Sequence, residues 1–238
     1  MASRIDFISA YCDRWCERCA FTDRCSAFAC TLAVGMCGGD VAAGIELAVG
    51  TPQPVNGAED ETAAATLLAD VPNVEPSPEE MADIERDDKA RRARLDQVPL
   101  CSMSTTYGLR AWTWLKKNHD AVATHADPLV REAFEVVAWD APLVGAKLHR
   151  ALAARDRSQH DSGEWDEHPV QNDSNGLAKV ALISLERSEA AWRVIAGATE
   201  DTAAFVLADA VGHLRRTAQH EFPNAMSFVR PGFDEPSP

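Results

Sequence analysis

The chain has 238 residues, 40 of them alanine, with 46% hydrophobic and 7% aromatic residues and a net charge of −14. That length and apolar content support a real core, while the charge argues against nucleic acid or an anionic membrane surface as the main partner. No run approaches the roughly 18 apolar residues of a membrane span. Alanine richness with few β-branched runs favours helices, and the fold class expected is all-α.

Residues 1–50 read as a cysteine-rich head with helical stretches over 4–20, 25–35 and 40–49. Cys12, Cys16, Cys19, Cys25, Cys30 and Cys37 fall within 26 residues, and Cys101 stands apart. The odd count, with no basic region and apolar run in residues 1–13, points to a reducing cytoplasm rather than a disulfide scaffold. The first four cysteines have the spacing C-x3-C-x2-C-x5-C. On a helix Cys12, Cys16 and Cys19 occupy i, i+4 and i+7, within an arc of about 60°. A break at Phe21-Thr22-Asp23, with Thr22 or Asp23 capping the next helix, brings Cys25 back as a fourth ligand. Ile8, Tyr11 and Trp15 form a neighbouring apolar stripe able to dock the head on the rest of the protein.

Four clustered thiolates suit a [4Fe–4S] cluster, which accepts a compact, irregular ligand run. Zinc is the alternative, though it more often uses two separated C-x2-C knuckles. Ala20 follows Cys19, so a c-type haem attachment is not formed. Four small buried hydrophobes on a helix would be the reading without a cofactor. Cys30 and Cys37 are alternative ligands, Cys101 is expected to be packed, and the Asp13-Arg14, Glu17-Arg18 and Asp23-Arg24 pairs read as a solvated face.

The segment Cys16-Glu-Arg-Cys-Ala-Phe-Thr-Asp-Arg-Cys25 resembles the C-x2-C-x5-C motif of [4Fe–4S] proteins, found in the WhiB-like regulators and the iron-staple helicase-nucleases. Ala20 stands where that motif commonly has proline. The resemblance implies a bound cluster, with Cys12 as the further ligand. The whole head, Tyr11 to Cys19, also resembles that of uncharacterised bacterial helical proteins.

Residues 51–98 read as a linker with five prolines, twelve acids and five bases, a net charge of −7. Ser77-Pro78-Glu79-Glu80 predicts the capped start of a surface helix over 79–95. Residues 99–222 carry helical periodicity and read as an antiparallel four-helix bundle. The first helix, 104–124, places Gly108, Ala111, Trp112, Leu115, His119 and Val122 on one stripe. The second, 128–154, places Val130, Phe134, Val137, Ala141, Val144, Leu148 and Ala151 there, with a kink or an Asp140-capped restart expected at Pro142. A polar loop over 155–176 leads to the third helix, 176–196, burying Leu182, Leu185, Trp192 and Ile195. The fourth, 201–221, buries Ala204, Leu207, Val211, Leu214 and Ala218. The Pro-rich tail, 223–238, carries Phe228 and Phe233, which with Phe222 are placed to pack back on the helices.

Asp209, His213 and His220 share an arc of the fourth helix and form a second candidate site, for an enzyme with a polar or metal centre inside the bundle. No nucleophile elbow, P-loop or dinucleotide fingerprint accompanies them. The leading expectation is a cytoplasmic iron–sulfur protein for electron transfer or redox or iron sensing. Cys12, Cys16, Cys19 and Cys25 would be its ligands and the bundle a platform for another protein. A zinc-stapled interaction module without redox role is the alternative.

Overall fold

A computed structural model describes residues 4–50, 76–160 and 168–234. Most of the expected linker, part of the 155–176 loop and the end of the tail lie outside them. The described residues contain seven α-helices and no strand: α1 (Ser26–Met36), α2 (Val41–Val49), α3 (Pro78–Asp96), α4 (Pro99–Ala123), α5 (Pro128–His160), α6 (Asp173–Thr199) and α7 (Thr202–Glu221). None is long and apolar enough to cross a membrane. The chain divides into two compact units. The smaller comprises residues 1–9 and 16–90, the larger residues 10–15 and 91–238.

In the smaller unit the α1 and α2 helices pack as neighbours. Gly44 of α2 makes this possible: a β-carbon there would lie 2.5 Å from the Cα of Val34. Asp40 caps α2 through its side chain, which accepts from the Ala43 amide at 3.0 Å. The α3 helix starts as a capping box. Ser77 Oγ accepts from the Glu80 amide at 3.2 Å, and Glu80 Oε2 accepts from the Ser77 amide at 2.8 Å. The sequence placed that start correctly.

The larger unit is organised by α4 to α7, whose inner faces share one apolar core. All seven stripe residues of α5 are buried, as are the predicted positions of α6 and α7. The α4 stripe differs from expectation. Trp112 is 66% exposed and His119 is exposed, while Tyr107, Ala111, Trp114, Leu115 and Val122 are buried. The apolar face is rotated toward Trp114, which meets fully buried Trp192 edge-on with ring centroids 4.9 Å apart. Phe222 and Phe228 pack back as expected. Lys179 anchors the tail, its Nζ donating to the Phe228 carbonyl at 2.6 Å and meeting Asp234 at 2.7 Å.

Pro142 does not break α5, which runs unbroken to His160. A proline there removes one backbone donor, the partner of the Ala138 carbonyl, at a cost of roughly 3 kcal/mol. Burial of Ala141, Val144 and Leu148 beside it holds the helix together. Asp140 therefore caps no restart. It is wholly buried and engaged by Arg187 of α6 instead.

Candidate metal centre

The helix expected over residues 4–20 does not form. Phe7 and Arg14 adopt left-handed backbone, with φ of 59° and 60°, which a continuous right-handed helix excludes. Cys16–Arg18 and Thr22–Arg24 form short 3-10 turns. The backbone of residue 5 donates to residue 24, Ile5 N to Arg24 O at 3.1 Å, so the chain closes on itself around the cysteines. The i, i+4, i+7 arrangement of Cys12, Cys16 and Cys19 on one helix is thereby corrected.

The reason lies in what residues 10–15 bind. Asp13 Oδ1 accepts from the Trp15 amide at 3.1 Å, a local bond that competes with helical pairing. Asp13 Oδ2 accepts from Arg187 Nη1 at 3.0 Å, and the Asp13 carbonyl accepts from Trp139 Nε1 at 2.9 Å. Trp15 is buried in the core of the larger unit, stacked on Trp139 with centroids 5.3 Å apart and beneath the Arg187 guanidinium. Tyr11 meets Phe228 at 4.7 Å, over Gly176, where a side chain would collide with both rings. Lys147 is buried, and its Nζ donates to the Ala10 carbonyl at 3.3 Å. Burial pulls the Lys147 pKa down, and the nearby Cys12 sulfur opposes that shift. Tyr11 and Trp15 thus pack within the larger unit, through an extended strap rather than a helix stripe.

Behind the strap lies a buried polar network. Arg187 Nε donates to Asp140 Oδ2 at 2.9 Å, and Arg187 also pairs with Asp140 Oδ1. Ser188 Oγ lies 3.4 Å from the same carboxylate. Burial pushes the Asp140 carboxyl up, against the pull of Arg187. Beyond Ser188, the Tyr107 hydroxyl accepts from Trp192 Nε1 at 3.1 Å, and burial pushes Tyr107 up to about 12.

All seven cysteines are of intermediate burial. Cys16 and Cys19 bracket a tight turn in which the Cys19 amide donates to the Cys16 carbonyl at 3.2 Å. The Phe21 amide then donates to Cys19 Sγ at 3.4 Å. Cys25 is the N-cap of α1, its Sγ accepting from the Phe28 amide at 3.5 Å. Thr22 and Asp23, the expected caps, sit one turn earlier in the 3-10 turn. Two of the predicted ligand sulfurs therefore face backbone donors. Cys12 belongs to the strap, whereas Cys16, Cys19 and Cys25 belong to the smaller unit. Cys30 lies within α1 and Cys37 at its C-terminal end. Cys101 is packed against the larger core, and burial raises its pKa.

Among the described residues no three His, Cys, Asp or Glu side chains stand close enough together to hold an ion. The second candidate set lies outward: Asp209, His213 and His220 are all exposed on α7. Apolar residues fill the interior of the four helices at that level. The network of Asp13, Asp140, Arg187 and Ser188 escaped sequence reasoning, because partners such as Asp13 and Arg187 are separated by 174 residues. The one available signal was Asp140 in the middle of an apolar helix face. No protein-family model, curated protein or solved structure matches this chain.

Proposed function

We propose that this chain is an intracellular [4Fe–4S] protein for electron transfer or for sensing of oxidants or iron, with Cys12, Cys16, Cys19 and Cys25 as ligands. The observation that carries the reading is the pair of backbone donors on Cys19 Sγ and Cys25 Sγ, within the C-x2-C-x5-C run. Hydrogen bonds to ligand sulfurs tune the potential of a bound cluster. Cys12 is taken as the fourth ligand because the motif that residues 16–25 resemble uses one further cysteine. When bound, a cluster supplies one-electron chemistry. The protein's part is to present thiolates, shield them and close the turn, with ligation supplying the ordering free energy. The four long helices, read as an antiparallel bundle, serve as the platform for a protein partner.

Zinc is the second reading, favoured by the Cys16–Cys19 turn with its sulfur facing the amide two residues on, the local shape of a zinc knuckle. Anaerobic purification separates the two. The cluster predicts a brown protein with about four iron and four sulfide per chain, lost in Cys16→Ser. A colourless protein with about one zinc per chain, also lost in Cys16→Ser, establishes the interaction module instead. Metal content unchanged in that variant removes this ligand set.

A further inference from the structure

The four long helices leave a groove between α4 and α7. Two adjoining cavities, of about 540 and 230 Å³, share Arg110 and Ala210 and so form one channel. On α4 it runs from Ser102 to Asn118, a length of about 24 Å at 1.5 Å per residue. Its wall presents apolar groups to the exterior: Leu109 is 64% exposed and Val206 51%. Trp112 and Phe205, also exposed, lie on the same two helices. These are large side chains left open on helices whose inner faces are already filled.

The charge along this groove runs against that of the protein. Residues 97–119 contain Arg110, Lys116 and Lys117 and no acid, in a chain of net charge −14. Arg110 and Lys117 line the channel. Among the described residues neither forms a salt bridge. The carboxylate lining it, Asp201, is already engaged. It accepts from Trp114 Nε1 at 2.8 Å and from the Ala203 amide at 2.7 Å, as the N-cap of α7. Lys117 also acts on Asp201, and the two cations Arg110 and Lys117 against that one lining carboxylate leave the rim with a net positive charge above an apolar floor.

We propose that the α4/α7 groove receives an acidic amphipathic helix of a partner protein. About 24 Å accommodates a helix of some sixteen residues, with apolar anchors at i, i+3 or i+4 and i+7. Carboxylates flanking those anchors would meet Arg110 and Lys117 and steer the encounter. A lipid surface fits less well, because the apolar groups line a channel and the remaining surface is acidic. This gives the platform part of the proposed function a location, yet it uses none of the cysteines. Its test can therefore fail or succeed independently of the cofactor.

The test is fluorescence anisotropy with a labelled helical peptide of about sixteen Leu, Ala and Glu residues, titrated with the full chain and with its Cys16→Ser variant. Both proteins should bind, with affinity falling as salt rises. A peptide with Lys in place of Glu should bind at least tenfold more weakly. Arg110→Glu with Lys117→Glu, and separately Val206→Asp, should each weaken binding tenfold or more. All three positions are exposed, so the fold should persist, checked by circular dichroism. Equal binding of the Glu and Lys peptides, or wild-type affinity in both variants, overturns the proposal. Binding only after deletion of residues 56–74 assigns the groove to the chain's own acidic segment, and self-association abolished by Val206→Asp assigns it to a second copy. Either outcome overturns the partner reading.

Discussion

Asp140 illustrates how far a single side chain departs from its sequence context. It follows Trp139 in an apolar helix face, is wholly buried, and is matched by a guanidinium that also reaches Asp13. Removing Asp140 breaks its charge-assisted hydrogen bonds and leaves Arg187, a third exposed, with Asp13 as its remaining carboxylate, at about 1.5–3 kcal/mol. Asp140→Ala should therefore lower the urea unfolding free energy by that order. Adding Arg187→Met should recover part of the loss, since it removes the guanidinium that faced Asp140, while Asp13, about a third exposed, remains open to water. A single variant indistinguishable from wild type would show the pair to be incidental. Tyr107 gives a second residue-scale test. Its pKa is raised by burial to about 12, so between about pH 10 and 12 the unfolded chain ionises this phenol and the folded chain does not. Stability should fall as pH rises through that window. Phenolate absorbance near 295 nm should show Tyr107 titrating late, together with unfolding.

At the scale of elements, periodicity made the long helices legible. Alternating +4 and +3 apolar spacing in α5, and the same rhythm in α6 and α7, admits one inward face. It was ambiguous in α4, where Trp112 and Trp114 both sit near the stripe and only packing against Trp192 selects Trp114. It failed over residues 4–20. There the pattern of Cys12, Cys16 and Cys19 is helical, but Asp13, Trp15 and Tyr11 find partners more than a hundred residues away. No local signal encodes those partners. The candidate ligands were legible as a set from composition and spacing, whereas the amides that face Cys19 and Cys25 depend on turns that spacing does not specify. Gly176 is the element-scale lever on the strap. In Gly176→Ala the new methyl group would press on Tyr11 and on Phe228, whose Cζ would lie 2.8 Å away. A destabilisation of about 1–3 kcal/mol is expected, together with faster alkylation of Cys12 by iodoacetamide. Unchanged Cys12 reactivity would mean that Tyr11 does not hold the strap.

For the molecule as a whole, carboxylates set the acid limit. Asp156 is held below its usual range by Arg94, whose Nε and Nη2 reach its oxygens at 2.8 and 2.7 Å. Asp201 is lowered by Trp114 and the first amides of α7. In Glu189 and Asp234 burial acts upward, but Arg193 and Arg215 outweigh it for the first, and Arg230 and Lys179 for the second. A depressed carboxylate stabilises the fold above its unfolded pKa, near 4, and that contribution is lost as pH falls through the folded value. The urea midpoint should therefore decline below about pH 4. Arg94→Ala should make that decline shallower, by removing the Asp156 contribution; an unaltered slope would show that pair to be silent.

The strap also fixes an order of events during synthesis. Asp13 emerges from the ribosome 174 residues before Arg187, its partner in the folded protein. At ordinary translation rates that interval is roughly ten to thirty-five seconds. Throughout it the strap, with Cys12 in it, lacks the helix on which it docks. A reagent that reaches Cys12 on the nascent chain therefore meets it undocked for that whole interval, and the docked strap marks its close.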